Sequence, residues 1–259
     1  MSYWENRLQQ IQNKITDKNS KEINKQISKY YGKAMENVIG EFEATYDKLL
    51  LTVGEGKTPT PADLYKLEKY WKLQAQMRRE LEKLGNKELA TMSKIFETNF
   101  FEVYYSLNLA SGDTFATIST EGAQALINTI WVADGKSWSQ RVWDNTSLLQ
   151  QELNDNLLDC VISGKKTSEL KQQLQDRFNV SYNRADALVR TEMAHIQTTA
   201  TQQRYKDLGI KEVEVFADKD ERQCEYCGTL HRKRYPVGGT MPIPAHTNCR
   251  CVILPVIDK

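Results

Sequence analysis

The sequence predicts a mainly α-helical protein with a small α+β module at its carboxyl end. Long N-terminal helices form a hairpin or bundle, a further helical region follows, and a short β-containing Cys/His module closes the chain. Three observations carry this reading. Apolar residues recur every three to four positions through most of the first 208 residues. Glycine and proline are scarce, 13 and 6 among 259 residues, so few turns are available. Alternation with period two begins only after Gly209, where four of the five cysteines also lie.

Taken in order, Leu8, Ile11 and Ile15 open a helical stripe that resumes at Ile23, Ile27, Tyr30, Ala34, Val38, Phe42, Tyr46 and Leu49. The polar interval Asp17-Lys18-Asn19-Ser20-Lys21 is either a solvated stretch of one helix or a short break. Unbroken, a helix over 3–51 would be roughly 70 Å long. Gly54-Glu55-Gly56-Lys57-Thr58-Pro59 reads as a loop, and Thr60-Pro61-Ala62-Asp63 as a helix start with Thr as N-cap and Pro in the first turn. Leu64, Leu67, Trp71, Leu81 and Leu84 mark the buried stripe of the second helix, which Gly85-Asn86 can end. A third helix carries Leu89, Met92, Phe96, Phe100, Val103, Tyr104 and Leu107, aromatic residues whose spacing suits a core.

Ala110-Ser111-Gly112-Asp113 marks a boundary. Helices are expected near 120–131, 144–162, 168–178 and 181–208, with Thr167 as an N-cap and Gly209 as the final stop. Val213, Val215 and Ala217 alternate with polar residues as one strand, and 251–254 is a second strand candidate. Cys160, on a face with Leu157, Leu158 and Val161, reads as a buried small hydrophobe.

Composition narrows the function. With 35 Lys+Arg against 34 Asp+Glu and a net charge of +1, the chain lacks the basic bias of a dedicated duplex-DNA binder, though not a local basic patch. The longest apolar run, 251–257, is interrupted by Pro255 and falls well short of the roughly 20 residues of a membrane span. The polar opening Met1-Ser2-Tyr3-Trp4-Glu5-Asn6-Arg7 has no apolar signal region, so synthesis in a cytoplasm is expected.

Cys224-x-x-Cys227 has the spacing of a metal knuckle, in which two thiolates face one ion and backbone amides turn toward the sulfurs. About twenty residues later His246-x-x-Cys249-x-Cys251 supplies three more donors. Zinc takes four N/S ligands, so one of the five is surplus, and Cys249 and Cys251 point the same way along an extended chain. Structural zinc is one reading. Free thiols packed in a small core, or disulfides formed on release into an oxidising medium, are another, and a catalytic metal or thiol site is a third. His231, within Leu230-His231-Arg232-Lys233-Arg234, reads as a solvated or phosphate-facing residue of a basic turn. Arg232, Lys233, Arg234 and Arg250 are the candidate phosphate contacts. The plain alternative is a solvated turn balanced by Asp218, Asp220 and Glu221.

Asp218-x-Asp220-x-Arg222-x-Cys224-x-x-Cys227 followed by Pro244-x-His246-x-x-Cys249-Arg250-Cys251 resembles the C-terminal signature of the Mu F-like head-morphogenesis family, the minor capsid proteins of tailed bacteriophages. Gly164-Lys165-Lys166-Thr167-Ser168 and Leu188-Val189-Arg190-Thr191-Glu192 agree with it. The opening Tyr3-Trp4-Glu5-x-Arg7 is similar to the start of members from phages of Gram-positive bacteria. The resemblance covers about 115–256 and divides the chain into an N-terminal helical region, 1–110, and a Mu F-like domain, 111–259, with the Cys/His module at 210–259.

The resemblance implies a virion protein inside the head near the portal, active in procapsid assembly and in DNA packaging or ejection, and not an enzyme. Implied partners are the portal protein, major capsid and scaffold proteins, and packaged double-stranded DNA held weakly and without sequence preference. No small-molecule substrate is implied. Some members carry a toxin domain after this module; only eight residues follow Cys251 here. For Arg190 and Glu192, helix-face or interdomain ion pairing competes with a functional contact, since Asp186 can meet Arg190 and Glu192 can meet His195. Two other classes stay open. A zinc-stapled nuclease-like or deaminase enzyme would need a His-x-Glu element or more histidines than His195, His231 and His246. A purely scaffolding adaptor would act through helix contacts alone.

Overall fold

A computed structural model describes residues 3–53, 65, 68–107, 116–217 and 224–256. Among them are six helices and one sheet: α1 (Tyr3–Val53), α2 (Glu68–Ser106), α3 (Thr120–Ile127), α4 (Trp138–Ile162), α5 (Thr167–Asp207), β1 (Glu212–Phe216), α6 (Glu225–Leu230), β2 (Arg234–Pro236) and β3 (Val252–Pro255). The expected mainly helical chain with a late, small β module is what the structure has. The loop at 54–59, the helix start at 60–63 and the boundary at 110–113 lie outside the described residues. No helix among the described residues is long and apolar enough to cross a membrane.

The chain forms two compact units, one from Lys25–Thr91 and Ser139–Asp186, the other from Met1–Asn24, Met92–Trp138 and Ala187–Lys259. In the first, the stripe Ile27, Tyr31, Ala34, Val38, Phe42 and Tyr46 is buried, along with Tyr70, Leu73, Met77, Leu81 and Leu84. Trp71, expected inside, is half exposed, and Tyr70 takes the inward position. Leu81 and Leu84 are buried as expected, and Leu73 and Met77 complete the stripe; Leu64 and Leu67 lie outside the described residues.

Gly85 does not end a helix. It lies within α2, where a Cβ would stand 2.7 Å from the Trp143 ring. Its missing side chain admits an indole against the helix backbone. Gly85→Ala is expected to gain helix propensity yet lose about 1–3 kcal/mol net through overpacking, read as a lower urea midpoint. Equal or higher stability would show that Trp143 moves aside freely.

A second expected break, between 178 and 181, is also absent, since α5 is continuous. Ser181 is fully buried there, its hydroxyl bonded to Asn145 Oδ1 at 3.2 Å and lying 3.4 Å from Tyr31 Oη. Tyr31 donates to Glu88 Oε2 at 3.3 Å and accepts from Asn145 Nδ2 at 2.9 Å. The polar residues that suggested a break form a buried network instead.

In the second unit the polar interval at 17–21 is helical. Asn19 is buried and donates to Asn99 Oδ1 at 3.1 Å and Glu102 Oε2 at 2.8 Å, while Lys18 donates to the same carboxylate at 3.0 Å. Met92, Phe96, Phe100, Val103, Tyr104 and Leu107 are buried as their spacing requires. Arg204 is fully buried, its guanidinium 5.4 Å from the Tyr104 ring centre.

Helix α5 ends in a Schellman turn. Gly209, at φ +75°, donates to Lys206, and Ile210 donates to Tyr205 at 2.9 Å. The turn delivers the chain into β1, the centre of an antiparallel sheet ordered β2-β1-β3. Val213 and Val215 pair with Tyr235 and Ile253. They face a core shared with Tyr205, Leu230, Ile243 and three cysteines, and Phe216, Val252 and Leu254 form a second cluster with Leu8. β2 falls inside the expected basic turn, so Arg234 belongs to a strand.

Candidate metal centre

Two chain segments build the cysteine cluster. In the first, Cys224 caps the six-residue α6, its Sγ accepting from the Cys227 backbone N–H at 3.2 Å. This is the knuckle arrangement, with an amide aimed at a sulfur. In the second, a turn closed by the Cys249 N–H on the His246 carbonyl, 3.1 Å, places His246 and Cys249 together. Asn248 sits in that turn at φ +63°, a conformation asparagine tolerates better than most residues.

The five predicted donors come together as two groups sharing one member: Cys224, Cys227 and His246, and Cys227, Cys249 and Cys251. Within each group the ligand atoms lie within 4.8 Å of one another. Cys227 Sγ is 3.3 Å from His246 Nε2 and 3.9 Å from Cys249 Sγ. The second distance is nearly twice the ~2.05 Å of a disulfide bond. A tetrahedral ion bound at about 2.3 Å to sulfur and 2.0 Å to nitrogen has edges of roughly 3.5–3.8 Å, close to both separations. These groups can hold a metal ion.

The protonation pattern suits that task. His246 Nδ1 lies 2.8 Å from the Thr247 carbonyl, which can only accept, so Nδ1 carries the proton and the Nε2 lone pair points at the sulfurs. The same bond raises the affinity of His246 for a proton. Cys224 is lowered by the Cys227 amide. Cys249 is lowered to about 5, chiefly by the Cys251 thiol donating to it, and Cys251 is raised in turn. Burial pushes Cys227 up to about 12. The lowered thiols favour the thiolate form that binds metal, and cation binding would release the protons of the others.

The remaining candidates are placed as follows. His231 is half-buried and engaged by the fold: its Nδ1 accepts from the Ala217 N–H at 3.2 Å, and its ring meets Phe216 edge-on at 4.9 Å. It ties the turn after α6 to the end of β1. Arg232 makes a two-point pair with Glu5, 2.8 and 2.9 Å, and also bonds Glu214. Arg234 lies 3.8 Å from Glu212, and Arg250 pairs with Asp17 at 3.0 Å. Lys233 is exposed. The acidic balance of these cations comes from Glu5, Asp17, Glu212 and Glu214; Asp218, Asp220 and Glu221 lie outside the described residues. Cys160 is buried and bonded to Gln173 Oε1 at 3.3 Å.

Glu192 has a structural bond that the sequence did not reveal. Its carboxylate, almost wholly buried, accepts from Trp131 Nε1 at 3.0 Å, and the same indole stacks on His195 at 4.4 Å. Desolvation lowers His195 to about 4, so it is neutral at pH 7. Trp131, 61 positions away, leaves no local signal as a partner of Glu192. Only the i, i+3 step to His195 hinted at the cluster.

A relative in Enterococcus faecalis, an NAD(+)--arginine ADP-ribosyltransferase EFV, is 24% identical over 188 residues, covering 64% of this chain and 38% of that protein. An uncharacterized protein of Haemophilus influenzae is 28% identical over 113 residues, covering 42% of this chain and 25% of that protein. The chain therefore spans about two fifths and a quarter of these curated relatives. No solved structure matches it. Residues 151–254 match the family described as Phage Mu protein F like protein. That stretch holds the Gly164 turn, the Arg190-Thr191-Glu192 segment and all five cluster donors. Over residues 151–254, then, the chain is similar to the Phage Mu protein F like family.

Proposed function

We propose that this protein is a minor head-morphogenesis protein of a tailed bacteriophage, of the type found in phages of Gram-positive hosts. It sits inside the head near the portal and acts in procapsid assembly and in DNA packaging or exit, without catalysis. The observation that carries this reading is the family match over 151–254. The module's chemistry supports it: a set of thiols and one imidazole, with five donors for four positions, suits a closed structural zinc site rather than one with a vacant coordination position. Ion pairs Glu5–Arg232 and Asp17–Arg250 fasten the module to α1. The ADP-ribosyl transfer named for the Enterococcus relative stays with that protein.

The zinc ligands are Cys224, Cys227, His246 and Cys249. Cys249 lies close enough to Cys224 and His246 to act on the charge of both. Cys251 donates to Cys249 and would stay as its neighbour. Cys251→Ser is therefore expected to keep one zinc per chain, and Cys249→Ser to lose it, as read by elemental analysis with a thiol count. The reverse pattern would exchange their roles. For the assembly role, a phage lacking this gene should make portal-bearing shells that fail to yield infectious, DNA-filled heads, with the protein recovered by mass spectrometry from wild-type virions. Normal infectious particles from the deletion, or virions without the protein, would end the proposal.

A further inference from the structure

The basic residues expected to hold phosphate on the β2 turn are tied to carboxylates, yet a different cationic site exists. A recess of about 590 Å³ opens within the second unit, walled by α1, α5 and the loop that carries the cysteines. Three elements each bring a cation to it: Lys21 from α1, Arg190 from α5 and Arg250 from the module. The one carboxylate in the wall is Asp17, which takes Arg250 Nη2 at 3.0 Å. Arg250 Nε, the Thr16 hydroxyl and the Asn24 side-chain oxygen are buried without a hydrogen-bond partner.

Buried donors left unmatched are costly, and Arg250 Nε and the Thr16 hydroxyl are two of them. Three cations gathered around one acid repel one another unless an anion or solvent lies between them. The Asn24 amide can turn its NH2 end inward, and Arg190, which has a contact of its own, retains further N–H groups in its fork. The wall is thus a set of donors with an excess of positive charge, and its size admits a phosphate group with its first waters.

We propose that this recess is a binding site for a phosphate group, held by Lys21, Arg190 and Arg250 with Thr16 and Asn24 as neutral donors. The phosphate is either a free ion or the terminal phosphate of a nucleic-acid strand, since one chemistry serves both. The inference stands apart from the head-assembly reading and from the zinc site: its probe is phosphate, and it is read without any assembly assay.

The test is calorimetric titration of the full chain with inorganic phosphate at constant ionic strength, using chloride as the control ion. Saturable one-to-one binding is expected, weakened at least tenfold in Lys21→Glu and in Asn24→Asp. Lys21 is exposed, so its variant should fold, and unchanged circular dichroism verifies this for both. A 5′-phosphorylated oligonucleotide that competes with phosphate, where its unphosphorylated twin does not, identifies strand ends as the source. Failure to compete identifies the free ion; both results support the site. Absence of saturable phosphate binding, or binding retained within threefold in folded Lys21→Glu, overturns it.

Discussion

Cys227→Ser is expected to strip the metal and unfold the sheet and cysteine loops together, leaving the unit formed by Lys25–Thr91 and Ser139–Asp186 folded. Cys227 belongs to both donor groups, so its loss leaves neither complete. It also belongs to the core with Val213, Val215 and Ile253. Structural zinc contributes apparent free energies of about 10–16 kcal/mol in small finger peptides. For a module whose strands are five, three and four residues long, even a fraction of that is a large share of its stability. Hydrogen exchange is the direct readout. Amides of β1 and β3 should lose protection in the variant, and in wild type treated with a chelator, while amides near Tyr31 and Phe42 keep it. Full protection of β1 with the metal gone would mean that the apolar core alone holds the module.

The second large effect is expected from pH. Glu88 is fully buried, one carboxylate oxygen bonded to Tyr31 and the other without a partner. Desolvation raises it from 4.5 to about 7, against the lowering effect of the Tyr31 bond. A carboxyl raised in the folded state stabilises when protonated. Its contribution is complete below the unfolded value of 4.5 and is lost as pH rises through about 7. A shift of that size corresponds to roughly 3 kcal/mol. Urea midpoints should therefore fall between pH 5 and pH 8, and Glu88→Gln should flatten that fall and stabilise the protein at pH 8. An unchanged slope in the variant would place the titration elsewhere.

These two sites differ in how visible they were beforehand. The donor spacing at 224–227 and 246–251 showed the Cys/His cluster, because ligand geometry is local within each half. Glu88 looked like an ordinary polar residue of a helix, since only the fold puts Tyr31, Asn145 and Ser181 around it. The same limit explains the misread Gly85: a glycine under an indole 58 positions away looks like a helix stop. The continuity of α5 was readable, because no glycine or proline lies between Thr167 and Asp207. β2, three residues long, is too short to show alternation. The pairs that hold Arg232 and Arg250 join residues more than 220 positions apart, so no sequence window reveals them.

Those two ion pairs have a consequence for synthesis. Residues 3–24 leave the ribosome well before β1, β3 and the cysteine loops they fold with. At about 5–20 residues per second, the opening helix waits roughly 10–50 s for Arg232 and Arg250 to be made. During that wait Leu8 and Ile23, destined for burial, have only the chain made so far to cover them. The unit formed by Lys25–Thr91 and Ser139–Asp186 is complete before β1 is made. The cysteine module thus closes over a segment of α1 made long before it, after the unit of Lys25–Thr91 and Ser139–Asp186 is whole.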